Sequence, residues 1–356
     1  MFSEKCIAMK GKTKTIRYSL LGILLVTIWL TQALPPMGNA YARSVYPAAS
    51  FLLSSFSRLV PFAVGDLFIF LSIAGLVAYP FYARLCRKQK WRKTLARCGE
   101  YLLWIYVWFY LAWGLNYSQP DFYERTGIPY TPFEEEAFEA FANDYITRLN
   151  RSYTPLKSIP KELIHEECVR IYSELADSLG IRRPPSHPPK GKTMLFTPLV
   201  SKVGVTGSMA PFFNEFTLNG DLLPVGYPAT YAHEFSHWLG ISSEAEANFY
   251  AYQVCTRSKA AGIRFSGYFS VLRHVLRNAR SVLPEEKYAA LFARIRPEVL
   301  AEAEKSHAYW MEKYSPLVGN IQSRIYDLYL KGNKIESGRR NYSEVVGLLV
   351  SYRNRK

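Results

Sequence analysis

Nowhere in the chain do two cysteines form a C-x-x-C pair or a zinc-ribbon spacing. The five present, Cys6, Cys86, Cys98, Cys168 and Cys255, are too scattered for a disulfide framework. Unpaired buried thiols are the expectation for Cys168 and Cys255. No internal repeat or low-complexity tract occurs, which excludes a solenoid array. Acidic residues are scarce before Tyr117, where 14 Lys and Arg face 3 Asp and Glu, a balance of +11. The remainder is nearly balanced at +4, with 30 basic against 26 acidic residues. That remainder also lacks a basic stretch interleaved with aromatics, so no nucleic-acid partner is expected.

What the first third does contain is long apolar runs. Tyr18 to Leu34, Leu67 to Ala83 and Tyr101 to Leu115 are each about 17 residues, near the short end for crossing a bilayer. One such run reads as a buried core helix; three within a hundred residues, each flanked by charge, predict transmembrane helices and a lipid-bilayer partner. Lys5, Lys10, Lys12, Lys14 and Arg17 precede the first run. Arg84, Arg87, Lys88, Lys90, Arg92, Lys93 and Arg97 lie between the second and third, whereas the first connection holds only Arg43 and Arg58. The positive-inside rule therefore puts the N-terminus and the second connection in the cytoplasm. Everything after Tyr117 is then extracytoplasmic, in a multi-pass cell-membrane protein. Ala40-Tyr41-Ala42 has a small-x-small cleavage pattern, but the first run is long for a signal peptide and an uncleaved helix is preferred.

With 356 residues the chain has room for a membrane anchor over 1–117 and a soluble domain over 118–356. The latter reads as mainly α with a small β element. Amphipathic helices are predicted over Pro132 to Asn150 and over Lys161 to Leu179, the second stopped by Gly180. A proline-rich connector spans Arg182 to Lys192, followed by β-like runs at Thr193 to Val203 and Phe212 to Leu218. The second run is a candidate edge strand for pairing with an extended peptide. Pro228 suits the first turn of a helix that passes His237 and stops at Gly240. Ser242-Ser243 can cap another from about Glu244 to Arg257. Helical patterns continue over 266–280, 285–315 and 317–331, and a last helix starts near Ser343.

The chemistry lies in Ala232-His233-Glu234-Phe235-Ser236-His237, an H-E-x-x-H segment on a predicted helix. Residues four apart share a helix face, so both imidazoles can bind one Zn2+. Glu234 then sits beside the open coordination position as general base, taking a proton from a metal-activated water and passing it to a leaving amine. Three protein ligands plus water make a catalytic site, and four make a structural one. The remaining histidines, His165, His187, His274 and His307, have no ligand spacing.

For the third ligand, a metzincin would need His where Ser243 stands. In gluzincins the ligand Glu is followed four residues later by Asp or Asn, which can support a ligating His. Glu244 and Asn248 fit that spacing. Glu246 competes, although Ser243 with Glu246 three residues on also makes a capping box. The short connection from His237 counts against Glu244, since a residue deeper in the second helix reaches back more easily; on its spacing to Asn248 Glu244 is still preferred, and Glu246 stays open. Tyr326, Tyr329 and Tyr342 are candidate donors to a tetrahedral oxyanion.

The run H-E-F-S-H-W-L-G-I-S-S-E-A-E-A-N-F resembles the signature of a bacterial membrane family known as domain of unknown function 3810. Trp113-Gly114-Leu115-Asn116-Tyr117, Thr206-Gly207 with Pro211-Phe212, and Tyr329-Leu330-Lys331 with Asn333 are similar to other pieces of that family. The resemblance implies N-terminal membrane helices followed by a zincin-like, gluzincin-type peptidase domain, and supplies no substrate. The expected function is thus a membrane-anchored zinc metallopeptidase acting on a peptide or protein. The rivals are an inactive zinc-containing binding or sensor module, against which intact Glu234 argues, and a metal-dependent hydrolase of a non-peptide amide.

Overall fold

The computed structural model describes residues 2–132, 134–333, 335 and 344–355, with side chains from residue 13 onward. The chain is mainly helical with one small sheet and divides into two compact units. The first comprises 1–59, 64–120 and 211–214, and the second 60–63, 121–210 and 215–356.

The first unit contains α1 (Phe2–Ala33), α2 (Pro35–Ala40), a π-helical turn (Tyr41–Val45), α3 (Tyr46–Ser57), α4 (Val64–Leu85) and α5 (Trp91–Ala112). Two stretches among the described residues, Thr13–Ala33 of α1 and Val64–Leu85, are long and apolar enough to cross a membrane. The second predicted span falls inside its stretch, and the first does so except for Leu34, one residue past the end of α1. The third falls on α5, which does not meet that measure. It begins ten residues earlier than the apolar run and carries Arg92, Lys93, Arg97 and Glu100 in its first half. Glu100 accepts an ion pair from Arg17 Nε at 2.6 Å, tying α5 to α1. The Trp113–Tyr117 segment forms a 3-10 turn (Gly114–Ser118) in which Gly114 lies directly under the Phe109 ring, where a Cβ would collide. Asn214, at φ 48°, accepts from the buried Tyr46 hydroxyl at 2.9 Å and donates to the Ala112 carbonyl at 2.9 Å.

In the second unit the order is α6 (Phe122–Thr126), α7 (Glu135–Ser152), α8 (Lys161–Leu175), β1 (Lys192–Thr193), α9 (Thr197–Ser201), β2 (Gly207–Ala210) and β3 (Glu215–Leu218). There follow α10 (Tyr227–Trp238), α11 (Glu244–Thr256), α12 (Ala261–Val282), α13 (Glu285–Ala293), α14 (Pro297–Lys313), α15 (Pro316–Gly332) and α16 (Val345–Arg353). The predicted strand Thr193 to Val203 keeps only Thr193 in the sheet, and its middle is the short helix α9: Pro198, in the first turn, is pre-set for a helical start. The single helix predicted over 285–315 breaks before Pro297, which can only begin a helix there. Ser343, where the last helix was expected to start, and Tyr342 lie outside the described residues.

Helix α11 packs between α10 and α12 and is buried along nearly its whole length. Ala245, Ala247 and Ala251 keep it thin, and Phe249, Tyr250 and Val254 fill the core around it. The sheet runs β1-β3-β2, with β1 parallel and β2 antiparallel to β3. β3 is therefore the central strand, buried at all four positions, and not the edge predicted from the Phe212 to Leu218 run. The edge is β2, whose four residues had read as a connection because Gly207 and Pro211 bound them.

Candidate metal centre

Helix α10 begins with Pro228 in its first turn and ends on Gly240, which adopts φ 106°. The Gly240 N–H donates to the His237 carbonyl and the Ile241 N–H to the Ser236 carbonyl, both at 3.0 Å. This closes the helix and reverses the chain. Ser243 then caps α11, its hydroxyl accepting from the Glu246 N–H at 3.3 Å. Two tightly terminated helices thus bring His233 and His237 on one to face Glu244, the first residue of the other.

The three donor atoms converge. Nε2 of His233 and His237 are 3.1 Å apart, and Glu244 Oε2 lies 3.1 Å from the first and 3.5 Å from the second. An ion bound tetrahedrally at about 2.1 Å by each ligand sets those atoms about 3.4 Å apart. The trio could therefore hold one metal ion without rearrangement.

The outer bonds fix the same arrangement. His233 Nδ1 donates to Asn248 Oδ1 at 2.9 Å, and His237 Nδ1 to the Ile241 carbonyl at 2.6 Å. With both protons on Nδ1, both Nε2 lone pairs point inward, as metal ligation requires. Glu244 Oε1 accepts from the Tyr326 hydroxyl at 2.7 Å, which leaves Oε2 for the centre. Electrostatics agree. Burial penalises the His237 cation, yet Glu244 overrides it and lifts the imidazole to about 9. Burial would likewise raise Glu244, but the two imidazoles hold it well below the ordinary carboxylate range. Positive charge is favoured at the point where these three side chains meet.

Glu234 follows on the same helix, buried and close enough to His233, His237 and Glu244 to feel the charge of each. Burial raises its pKa, and its Oε2 has no hydrogen-bond partner among the described residues. A buried carboxylate oxygen without a partner is costly, and such groups concentrate where chemistry is done. Edge strand β2 passes directly over it: a Cβ on Gly207 would collide with the Glu234 carboxylate.

Glu246 is not at the centre. Its carboxylate is ion-paired with Arg125 of α6, both side chains under a tenth exposed. Arg125 also donates to the Gly180 carbonyl at 3.3 Å and to Tyr250 Oη at 3.4 Å. Of the three tyrosines considered as oxyanion donors, Tyr326 meets Glu244 and Tyr329 stacks on Tyr326 with ring centroids 5.9 Å apart. His165 bonds Tyr231, and burial lowers His274 to about 4, keeping it neutral. Cys168 and Cys255 are buried free thiols. Sequence reasoning had no access to Arg125, which stands 121 residues from its partner in a five-residue helix. It also gave no role to Gly207, although Thr206-Gly207 was among the family-like pieces.

Among families of known sequence, residues 41–350 match the one described as protein of unknown function (DUF3810). No curated protein and no solved structure matches the chain.

Proposed function

The chain belongs to the DUF3810 family, whose description assigns no activity, and from its own site we propose that it is a membrane-anchored zinc metallopeptidase of gluzincin type. The observation that carries this is the convergence of His233 Nε2, His237 Nε2 and Glu244 Oε2 within 3.5 Å beside Glu234, whose buried Oε2 has no hydrogen-bond partner among the described residues. Two nitrogens and one oxygen in tetrahedral spacing, with no fourth protein donor in the group among the described residues, match an open catalytic zinc site better than a closed structural one. Zinc bound there supplies Lewis acidity and lowers the pKa of a water toward neutrality.

The chain's own residues do the rest. Glu234 accepts the proton of the attacking water and delivers it to the amide nitrogen as the scissile C–N bond breaks. Its raised pKa suits a group that must both take and return a proton near neutrality. Asn248, the Ile241 carbonyl and Tyr326 hold the three ligands in register. Strand β2 favours a peptide over another amide: its outer edge is unpaired among the described residues. A substrate added to it as a further strand would run along Glu234.

The charge bias around the apolar helices supports an orientation with the N-terminus and the Lys90 loop in the cytoplasm, α5 as a third crossing, and the second unit outside. The test of function is a peptide-library digest by full-length protein in detergent, wild type against Glu234→Gln, with metal content measured on both. Zinc in both and cleavage only by wild type is expected. Equal cleavage by the two would overturn the mechanism, and absence of stoichiometric zinc in the wild type would overturn the site.

A further inference from the structure

Helix α15 has two faces with different occupations. On the inner one Leu330 is buried, Gly319 is packed against the Tyr314 ring, and the Tyr326 hydroxyl reaches Glu244. On the outer one Leu317, Ile321, Ile325 and Leu328 recur at spacings of four, four and three, which keeps them on one side of a helix. Each is more than half exposed, and Val318 widens the stripe. Single exposed apolar residues are ordinary on a protein surface; a continuous stripe of five calls for an occupant.

The flanks indicate which. Helical spacing sets Arg324 and Lys331 along one margin of the stripe and Tyr329 along the other. Long basic side chains can keep their stems on apolar surface and reach a phosphate, and tyrosine favours the same boundary for its amphipathic ring. The one acid of the helix, Asp327, is held by Lys331 at 2.7 Å in a half-exposed pair, weak enough for an anionic lipid to compete. An apolar stripe with basic and tyrosine margins is the composition of a helix lying in the headgroup–acyl boundary. The same chain also carries helices apolar enough to cross a bilayer, so a lipid surface is within reach of the second unit.

We propose that α15 lies on the surface of the anionic bilayer that anchors the chain, its Leu317–Leu328 stripe sunk at the headgroup–acyl boundary. This rests on the membrane anchoring proposed above and is independent of the peptidase chemistry. Because the opposite face of the helix bonds a metal ligand, the lipid surface then holds one wall of the candidate site.

The test uses full-length protein in vesicles of phosphatidylcholine with phosphatidylglycerol. Cys6, Cys86 and Cys98 are replaced by Ser, the buried Cys168 and Cys255 are left, and a polarity-sensitive fluorophore is placed at Ile321→Cys or Ile325→Cys. Two control labels go on Lys305→Cys, an exposed position of α14, and on Ile73→Cys in α4. Labels at 321 and 325 should be quenched by lipids carrying a nitroxide near the headgroup and shielded from aqueous iodide, with quenching reduced when phosphatidylglycerol is omitted. The Lys305 label should respond to iodide alone, and the Ile73 label to nitroxides deep in the acyl chains. Labels at 321 and 325 that respond to iodide and ignore nitroxide lipids would overturn the proposal. Shielding from both quenchers would overturn it as well, by putting protein on the stripe. Failure of the anchoring itself would appear separately, as an Ile73 label that no nitroxide lipid quenches.

Discussion

Replacing Glu246 by alanine separates the two glutamates that the sequence left in competition. Seen only as half of a capping box, Glu246 would cost about 1 kcal/mol on removal. The structure raises that figure, because the carboxylate is the partner of a guanidinium with a side chain only 7% exposed. Removing one member of a buried ion pair leaves the other charged and desolvated, at about 3–5 kcal/mol. In Glu246→Ala the stranded charge is Arg125, whose bonds to the Gly180 carbonyl and the Tyr250 hydroxyl are to neutral groups. For a unit of this size about 2–4 °C of Tm accompanies each kcal/mol, so the shift should be roughly 6–20 °C. The metal should stay in place. Thermal unfolding of full-length protein in detergent, followed by metal analysis after desalting, measures both. Glu244→Ala should instead lower zinc affinity by orders of magnitude, since one of three protein bonds to the ion is lost. An Arg125→Met, Glu246→Leu double variant should recover most of the stability, because apolar replacement of a buried pair is often neutral. If Glu246→Ala emptied the site with a Tm shift below about 4 °C, the ligand assignment would be wrong and the pair would be worth only its cap.

Asn248→Ala, which removes the acceptor of His233 Nδ1, should weaken zinc affinity or turnover about ten- to a hundredfold with the fold retained. Gly207→Ala should keep its zinc and lose about a hundredfold in turnover, because the new Cβ must displace the Glu234 carboxylate; full activity would remove β2 from the site. Arg170 first, then Ser258 and the Lys259 N–H, hold Glu167 down at about 2 from an ordinary 4.5. A depressed carboxyl stabilises the fold above its unfolded pKa and loses that contribution as pH falls through the folded one. Tm of the wild type should therefore drop more steeply than that of Glu167→Gln between about pH 4.5 and 2. A reporter active only in the cytoplasm should work when inserted near Lys90 and be silent when fused after Lys356; the opposite pattern would reverse the proposed orientation.

The site was legible where the information is local. An H-E-x-x-H on a helix, a glycine stop at 240, a serine cap at 243 and an Asn four residues beyond Glu244 all lie within one run of residues. Each is a short-range rule, and together they fix how α10 and α11 face each other. What escaped depends on distant partners. Nothing near Glu246 announces Arg125, so the carboxylate looked free to cap or to ligate. Strand β2 is only four residues long, bounded by a glycine and a proline, and too short to show a period of two. Its identity as an edge follows from pairing with β3, which itself looked like the edge until β1 was placed on its other side. The helix of α9 was hidden by β-branched and apolar residues that suit a strand equally well, until Pro198 at its first turn is given its full weight. The third apolar run was real as composition but is only the second half of a helix whose first half is charged.

The two bonds that orient the histidines differ in what can erase them. The one on His233 ends on a side-chain amide, and a single substitution at 248 deletes it. The one on His237 ends on the main-chain carbonyl of Ile241, which every amino acid supplies. Drift at position 241 therefore leaves that imidazole aimed as before, provided the apolar volume is kept. Vulnerability moves one residue upstream, to Gly240, whose φ of 106° few other residues adopt. An alanine scan of the polar residues around the centre would record only the first of these two bonds. The second is written in a backbone angle, and the mutation that reveals it is at the glycine before Ile241.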